Sequence, residues 1–393
     1  MGVHKTALLI LCLFASEIVF SEMPVFERDA LILRKNMIGI FLGYNCSVIL
    51  YNKYTYNFKI KFKSCLKPII KDDIIVLFEK DLIKAINLKT NSIIWKKDKK
   101  VLNKTIGRDG NIYALMKDKG NNLYKIGFLD AKRGDYNQII QIRESNSLYG
   151  IQYVYDEKED YLIVYGDTIA LIINLKKNVI KSKIIYENKG QTPKFSAKIK
   201  NHILYYTQLN YLYAYNIQIR KILWKAKVID DDILNYHKKM DCDFYIMDKF
   251  ISEPILYGRD LIIVVTSRKI IFVNREGKIM KIIMNNVLNE LNVANEKFKW
   301  LEVVNAILHN NKYLVVTASP WVKIVDLRKK KIICSIMPHG LDVDAGIFSK
   351  PYWKDNHIFI YDKYYNEIID ININIDACQY RINVGSSIPR HNR

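Results

Sequence analysis

Short apolar runs separated by polar turns repeat along the whole chain. The clearest stretch is Asp72–Asp98, where the runs Ile74–Phe78 and Leu82–Leu88 precede a Lys-Thr-Asn turn and a third run that ends at Trp95. Runs of this length that are rich in β-branched residues and bounded by polar turn residues are typical of antiparallel strands. The stretch therefore predicts one hairpin-rich unit.

The same unit recurs eight times. Turns comparable to the one between the second and third runs fall near Tyr54, Thr90, Arg133, Lys177, Ile219, Glu276, Lys329 and Tyr365. Their spacing is close to the roughly 40–50 residues of a four-stranded propeller blade. One unit cannot bury both faces of its sheet, whereas a ring of units does so and leaves only short edges. We therefore predict an all-β fold, an eight-bladed β-propeller of four-stranded antiparallel blades.

The units share two further positions. Six of them have Asn or Asp at the end of the strand before the turn, namely Asn87, Asp130, Asn174, Asn216, Asn274 and Asp326. These side chains can bond their own backbone, which suits a turn. In two units the following strand contains Trp95 or Trp224. We expect both tryptophans to pack between blades as structural residues.

The beginning of the chain resembles a secretory signal. Residues 1–21 have a short basic start, an apolar segment at Ala7–Ala15, and small residues at Val19 and Ser21. The apolar segment is shorter than the roughly 20 residues that span a bilayer. We therefore predict a signal peptide over 1–21 and an exported mature chain.

Residues 22–393 are predicted to form a single propeller domain. Two connections are longer than a blade loop needs, near 229–257 and 286–300. The first is rich in Asp, and the second has apolar residues close to helical spacing. Long insertions in compact domains often carry function, so both are candidate docking segments.

The chain is strongly basic, with 61 Lys and Arg against 40 Asp and Glu, a net charge of +21. Such a balance can favour nucleic acid or an anionic membrane. The lysines are distributed over strand ends and turns and form no single stripe in the sequence. Together with the predicted export, this distribution leads us to expect no nucleic-acid partner.

The cysteines and sequons give candidate modification sites. Cys46 and Cys65, on neighbouring predicted strands, are the candidate disulfide pair, since an oxidising compartment permits one. Buried unpaired cysteines are the alternative. Asn45 and Asn103 begin N-x-S/T sequons. In a eukaryotic secretory pathway Asn103, predicted in a polar loop between blades, is the better acceptor.

Motifs for catalysis are missing from the sequence. It has no G-x-S-x-G, no P-loop and no G-x-G-x-x-G. The histidines are scattered without the H-x-x-x-H spacing of a zinc site. We therefore expect a protein that is not an enzyme, with no cofactor, no metal and no small-molecule substrate.

The strand and turn pattern resembles the quinoprotein-like propeller repeat. Ala85, Ile86, Asn87 and then Trp95 match its A-L-D/N strand and its terminal tryptophan, and Ala214 to Asn216 before Trp224 match less closely. That family includes dehydrogenases that use pyrroloquinoline quinone. Their vicinal cysteine pair is not present here. A quinoprotein dehydrogenase is therefore the least favoured function.

Two exported families that are not enzymes also resemble the chain. The luminal propeller of subunit 1 of the endoplasmic-reticulum membrane protein complex has a start similar to Val25–Asp29, and a blade similar to Glu79–Trp95. The resemblance implies a luminal scaffold subunit of a membrane-protein insertion complex, with protein partners that hold it at the membrane. The propeller lipoprotein of the bacterial outer-membrane β-barrel assembly machinery is similar in length and blade number, and implies a periplasmic role.

Overall fold

The computed structural model describes residues 29–34, 37–42, 46–52, 58–118, 122–157, 159–186, 196–208, 210–229, 250, 252–266, 269–284, 303–318, 321–338, 348–362 and 367–386. Within these residues thirty-two strands form eight separate sheets, each with four antiparallel strands. The prediction of an all-β, eight-bladed propeller is confirmed.

Each blade is built from four consecutive strands. Blade 1 contains β1 (Asp29–Arg34), β2 (Met37–Leu42), β3 (Ser47–Asn52) and β4 (Phe58–Lys63). Blade 2 contains β5 (Leu66–Lys71), β6 (Ile74–Phe78), β7 (Ile83–Asn87) and β8 (Ser92–Lys97). Blade 3 contains β9 (Val101–Ile106), β10 (Ile112–Lys117), β11 (Leu123–Leu129) and β12 (Tyr136–Arg143). Blade 4 contains β13 (Leu148–Tyr155), β14 (Asp160–Gly166), β15 (Ile169–Asn174) and β16 (Val179–Ile185).

The second half of the chain repeats this arrangement. Blade 5 contains β17 (Ser196–Lys200), β18 (Ile203–Gln208), β19 (Tyr211–Asn216) and β20 (Lys221–Lys227). Blade 6 contains β21 (Ile255–Tyr257), β22 (Leu261–Val265), β23 (Lys269–Asn274) and β24 (Ile279–Met284). Blade 7 contains β25 (Val303–His309), β26 (Tyr313–Ala318), β27 (Trp321–Asp326) and β28 (Lys331–Ile336). Blade 8 contains β29 (Tyr352–Lys354), β30 (His357–Asp362), β31 (Glu367–Asn374) and β32 (Gln379–Ser386).

Burial orders the strands from the channel to the rim. The first strand of each blade is innermost, and β13 contacts its counterparts β9 and β17. The two middle strands are the most buried, and every position of β15 and β27 is buried. The fourth strand is outermost, and in β8 every residue except Trp95 is exposed. The core therefore lies between blades, as in the cluster that joins Val76 and Ala85 of blade 2 to Ala114 and Leu129 of blade 3.

The predicted turn residues occupy the turns between the third and fourth strands. Asn87 Oδ1 accepts the N–H groups of Lys89 and Thr90 at 2.8 and 3.2 Å. The other five members, Asp130, Asn174, Asn216, Asn274 and Asp326, also accept backbone N–H groups within their turns. These local bonds explain why the pattern could be found in the sequence.

One of the eight predicted turns is misplaced. The segment around Tyr365 lies between β30 and β31, which are the second and third strands of blade 8. The corresponding turn of that blade comes after Asn374, at residues 375–378. The reason is that β31 is an eight-residue strand in which apolar and polar residues alternate, and its polar positions hid the point where it ends.

Blades 1 and 8 meet where the ring closes. Blade 1 uses only consecutive strands from the beginning of the chain and blade 8 only strands from the end, so the described residues share no strand between the two blades. The contact between β1 and β30 joins them. A disulfide between Cys334 of β28 and Cys378, in the turn before β32, links blade 7 to blade 8 with a Cα–Cα distance of 5.5 Å.

That disulfide corrects the predicted pairing. Cys46 and Cys65 are free thiols in the structure. Cys334 and Cys378 are 44 residues apart, and only the packing of two blades brings them together. Spacing in the sequence therefore could not reveal the pair.

Several predicted segments lie wholly or mostly outside the described residues. These are the signal peptide over 1–21, sequon residue Asn45, most of the insertion near 229–257 and all of the one near 286–300. The last three residues of the first insertion belong to β21. In the part of the chain that the structure describes, no helix is long and apolar enough to cross a membrane.

Candidate functional site

The order of strands gives the propeller two unlike faces. In every blade the turns after the first and third strands lie on one face, which we call the turn face. The turns after the second strand and the connections between blades lie on the other, which we call the connection face. The predicted insertions join β20 to β21 and β24 to β25. Both therefore leave the connection face, from the neighbouring blades 5 and 6.

A polar network on the innermost strands lies beside the first of these insertions. The Gln152 side chain of blade 4 bonds both backbone groups of Ala197 in blade 5, at 2.9 and 3.0 Å. Gln152 also donates to Glu253 Oε1, in the connection that leads into β21 of blade 6, at 2.9 Å. Lys198 Nζ of blade 5 lies 2.7 Å from Glu253 Oε2, and both side chains are nearly half exposed. Three neighbouring blades are thus connected on the wall of the channel.

Asn103 has a similar role one blade earlier. Its Nδ2 donates to the carbonyl of Tyr149 at 3.2 Å, and it lies within β9, the innermost strand of blade 3. The prediction that Asn103 stands in a loop between blades is wrong. The innermost strand faces a channel and can therefore be polar, so Asn103, Lys104 and Thr105 resembled a loop in the sequence. The nitrogen that would carry a glycan is occupied by the bond to blade 4.

The two blade tryptophans contact the turn of the next blade. Trp95 of β8 donates from Nε1 to the carbonyl of Ala131 at 3.0 Å. Its ring covers Gly134, which has a φ of 74°. A Cβ at Gly134 would lie only 2.5 Å from Trp95 Cδ2. The glycine is therefore needed both for the turn and for the close approach of the ring.

Trp224 repeats this contact between blades 5 and 6. It donates from Nε1 to the carbonyl of Arg275 at 2.5 Å. A Cβ at Gly277 would lie 2.8 Å from the Trp224 ring. The sequence singled out both tryptophans but not the glycines beneath them, which lie 39 and 53 residues further along.

The free thiols lie together at the junction of blades 1 and 2. Cys46 precedes β3, and its carbonyl accepts the N–H of Ser64 at 2.7 Å. Cys65 follows Ser64 and is partly buried. Burial, together with a hydrogen bond to the Cys46 thiol, raises the pKa of Cys65 to about 11. A thiol with such a pKa is mainly protonated near neutral pH and is a poor nucleophile.

Other titratable groups are paired within the blades. His357 Nδ1 lies 2.8 Å from Asp370 Oδ1 on the adjacent strand, a pair that sequence reasoning missed because the two residues are 13 positions apart. Burial raises the pKa of Tyr153 to about 12. Among the described residues, His, Cys, Asp and Glu side chains do not form groups of three or more that could hold a metal ion.

One shallow recess lies between blades 5 and 6. Its empty space is about 180 Å³ with open solvent included, below the roughly 300–1,000 Å³ of typical small-molecule pockets. Its lining includes Lys200, Tyr205, Arg259 and Arg275. Lys200 Nζ donates to the carbonyl of Gly258 at 2.6 Å. The recess is therefore cationic and open.

The comparisons with known proteins agree with the fold. No family model and no curated protein matches the sequence. Among solved structures, dihydro-haem d1 dehydrogenase NirN in complex with DHE is similar with a TM-score of 0.60 at 9% identity, covering 93% of this chain and 76% of that one. Sqt1 of Saccharomyces cerevisiae is similar with a TM-score of 0.56 at 11% identity, covering 90% and 96%. At these identities the likeness shows the propeller fold alone.

Proposed function

We propose that the protein is a scaffold subunit, without catalytic activity, of a membrane-protein insertion complex in the lumen of the endoplasmic reticulum. Protein partners bind its connection face and hold it at the membrane. The observation that carries the proposal is the position of the two long insertions. Both leave the same face from adjacent blades, so a single partner could contact them together.

The rigidity of the surrounding blades supports this role. The Gln152–Glu253 network joins blades 4, 5 and 6 on the channel wall. Trp224 fixes blade 5 to blade 6 through Arg275. The elements from which the insertions leave are thus held in one orientation, and a preorganised surface lowers the entropic cost of binding.

The sequence supports the choice of complex. The similarity of Val25–Asp29 and of Glu79–Trp95 to the luminal propeller of the endoplasmic-reticulum complex is short, and it covers only the first two blades. The predicted signal peptide supports the proposal, because a luminal subunit must be exported from the cytosol.

The test is a crosslinked purification of tagged protein from native cells, followed by identification of the bound proteins. We expect membrane subunits in the purified complex. Replacing residues 231–248 by a Gly-Ser linker of equal length should remove them, while the melting temperature of the propeller stays the same. Recovery of no membrane proteins would contradict the proposal.

A matched control uses the opposite face. Lys89→Ala with Thr90→Ala changes an exposed turn on the turn face of blade 2. The proposal expects this variant to retain every partner. Equal loss of partners in the linker variant and in this control would show that the connection face has no special role.

A further inference from the structure

The outer edge of blades 5 and 6 combines exposed apolar side chains with positive charge. We call this surface the apolar-basic rim and define it as residues 217–227 and 275–284, the final turn and outermost strand of each blade. Its exposed apolar side chains are Ile219, Ile222, Leu223, Ile279, Met280 and Ile282, between 37% and 57% exposed. Its charged residues are Arg220, Lys221, Lys225, Lys227, Arg275, Lys278, Lys281 and Glu276.

Basic residues outnumber acidic residues within the rim. Seven basic residues stand against Glu276 alone. The matching hairpins of the flanking blades, residues 175–185 and 327–336, each add four basic residues and no acid. The matching hairpin of blade 3, residues 131–143, has three basic residues and Asp135, and its outermost strand exposes polar side chains instead of apolar ones.

The cationic recess lies directly beside the rim. Arg275 belongs to both, and Lys200 and Arg259 line the recess on the turn face. Arg275 Nε lies 3.7 Å from Asp260 Oδ1, and the Asp260 side chain is 84% exposed. Basic side chains therefore continue from the rim onto the turn face. Lipid headgroups would contact this part of the turn face if the apolar side chains of the rim entered a bilayer.

We propose that the apolar-basic rim binds the surface of a bilayer that contains anionic lipids, with the disc standing on its edge. Apolar side chains that enter the headgroup boundary and basic residues that meet anionic lipid are the two contributions to interfacial binding. Neighbouring blades of an eight-bladed ring differ in direction by about 45°, so a flat surface can contact two blades together. The inference does not rest on the proposed function, which places the membrane contact on partner proteins.

The test is co-sedimentation of the purified protein with vesicles. Phosphatidylcholine vesicles with about one third phosphatidylserine should bind the protein, and pure phosphatidylcholine vesicles should not. Lys221→Glu with Lys281→Glu should weaken binding by about 25-fold or more, since each basic residue near an anionic surface contributes about fivefold. Both side chains are exposed, so the fold should persist, as checked by the melting temperature.

Two further variants separate the contributions. Ile222→Ser with Met280→Ser should weaken binding, and salt should release the remainder, because ions screen charges but not apolar contacts. Arg143→Glu with Arg381→Glu makes the same charge change on exposed outermost strands of blades 3 and 8 and should leave binding unchanged.

Three outcomes would overturn the proposal. The first is equal binding to both kinds of vesicle. The second is equal loss in the control with Arg143→Glu and Arg381→Glu, which would show attraction by net charge alone. The third is binding to soluble polyglutamate without binding to vesicles, which would assign the rim to an acidic protein. Without a role at the membrane, the lysines of the rim would still prevent edge-to-edge pairing of its exposed outermost strands.

Discussion

Replacing Gly134 by alanine should destabilise the protein more than the same replacement at Gly258, because only Gly134 lies beneath a tryptophan. Both glycines have positive φ, 74° and 60°, so both substitutions carry the backbone cost of about 1–2 kcal/mol. A Cβ at Gly134 would lie 2.5 Å from Trp95 Cδ2, whereas at Gly258 nothing lies within 4 Å. Overpacking of that kind costs about 1–3 kcal/mol. We expect Gly134→Ala to lower the free energy of unfolding by that additional amount.

The assay is urea unfolding followed by far-UV circular dichroism. In a Trp95→Leu background the clash is relieved, so Gly134→Ala should cost no more than Gly258→Ala. The cycle of single and double variants then isolates the contact between blades 2 and 3. If the two glycine substitutions cost the same, or if Trp95→Leu leaves the cost at Gly134 unchanged, the tryptophan does not hold the blades together.

Three other predictions test the ring. Reduction of Cys334–Cys378 should remove about 4 kcal/mol of stability by the chain-entropy estimate for a loop of this length. A Cys46→Ala variant should be just as sensitive to reductant in thermal melting, and insensitivity would assign the disulfide to Cys46. Asn103→Ala should lower the free energy of unfolding by about 1 kcal/mol, since it leaves the Tyr149 carbonyl without this partner. Peptide mass spectrometry of the wild-type protein from a glycosylating host should show Asn103 without a glycan. Asp130 accepts the backbone N–H groups of Arg133 and Lys132, and these bonds, chiefly that from Arg133, hold the pKa of Asp130 below its usual value. The stability that ionised Asp130 contributes is therefore complete above the pKa of the unfolded state, about 4, and is lost as the pH falls through the lower pKa of the folded state. Asp130→Asn keeps the acceptor, so the urea midpoint of this variant should fall less between neutral and acidic pH than that of the wild type. An equal fall would refute the assignment.

Local signals explain how much of the fold could be predicted. Strands were found because apolar runs and turn residues are encoded over a few positions, and Asn87 makes its bonds to residues two and three positions away. The last turn was misplaced because the alternation in β31 continues through polar residues. Asn103 was misplaced because a channel-facing strand has no apolar run. The sequence pattern therefore predicts strands and turns correctly only where a strand coincides with a buried, apolar run.

The contacts between blades carry no such local signal. Trp95 meets a glycine 39 positions away, and Gln152 reaches Glu253 across 101 positions. Cys334 pairs with Cys378 only because two blades stack. Partners of this kind depend on the angle between neighbouring sheets, which hydrophobic periodicity does not specify. The candidate site is composed mainly of such contacts and so could not be predicted in detail.

The charge distribution changes most between sequence and structure. Along the chain the lysines are spread over many turns and show no stripe. A propeller returns to the same edge once per blade, so charges that recur at the blade spacing meet on one rim. The hairpins of blades 4 to 7 all carry a net positive charge there, whereas in the hairpin of blade 8, residues 375–386, Asp376 balances Arg381. The relevant quantity is therefore the charge of each hairpin at equivalent positions of the repeat. On that measure a basic composition without a stripe in the sequence becomes a basic edge, and in blades 4 to 6 this edge also exposes apolar side chains.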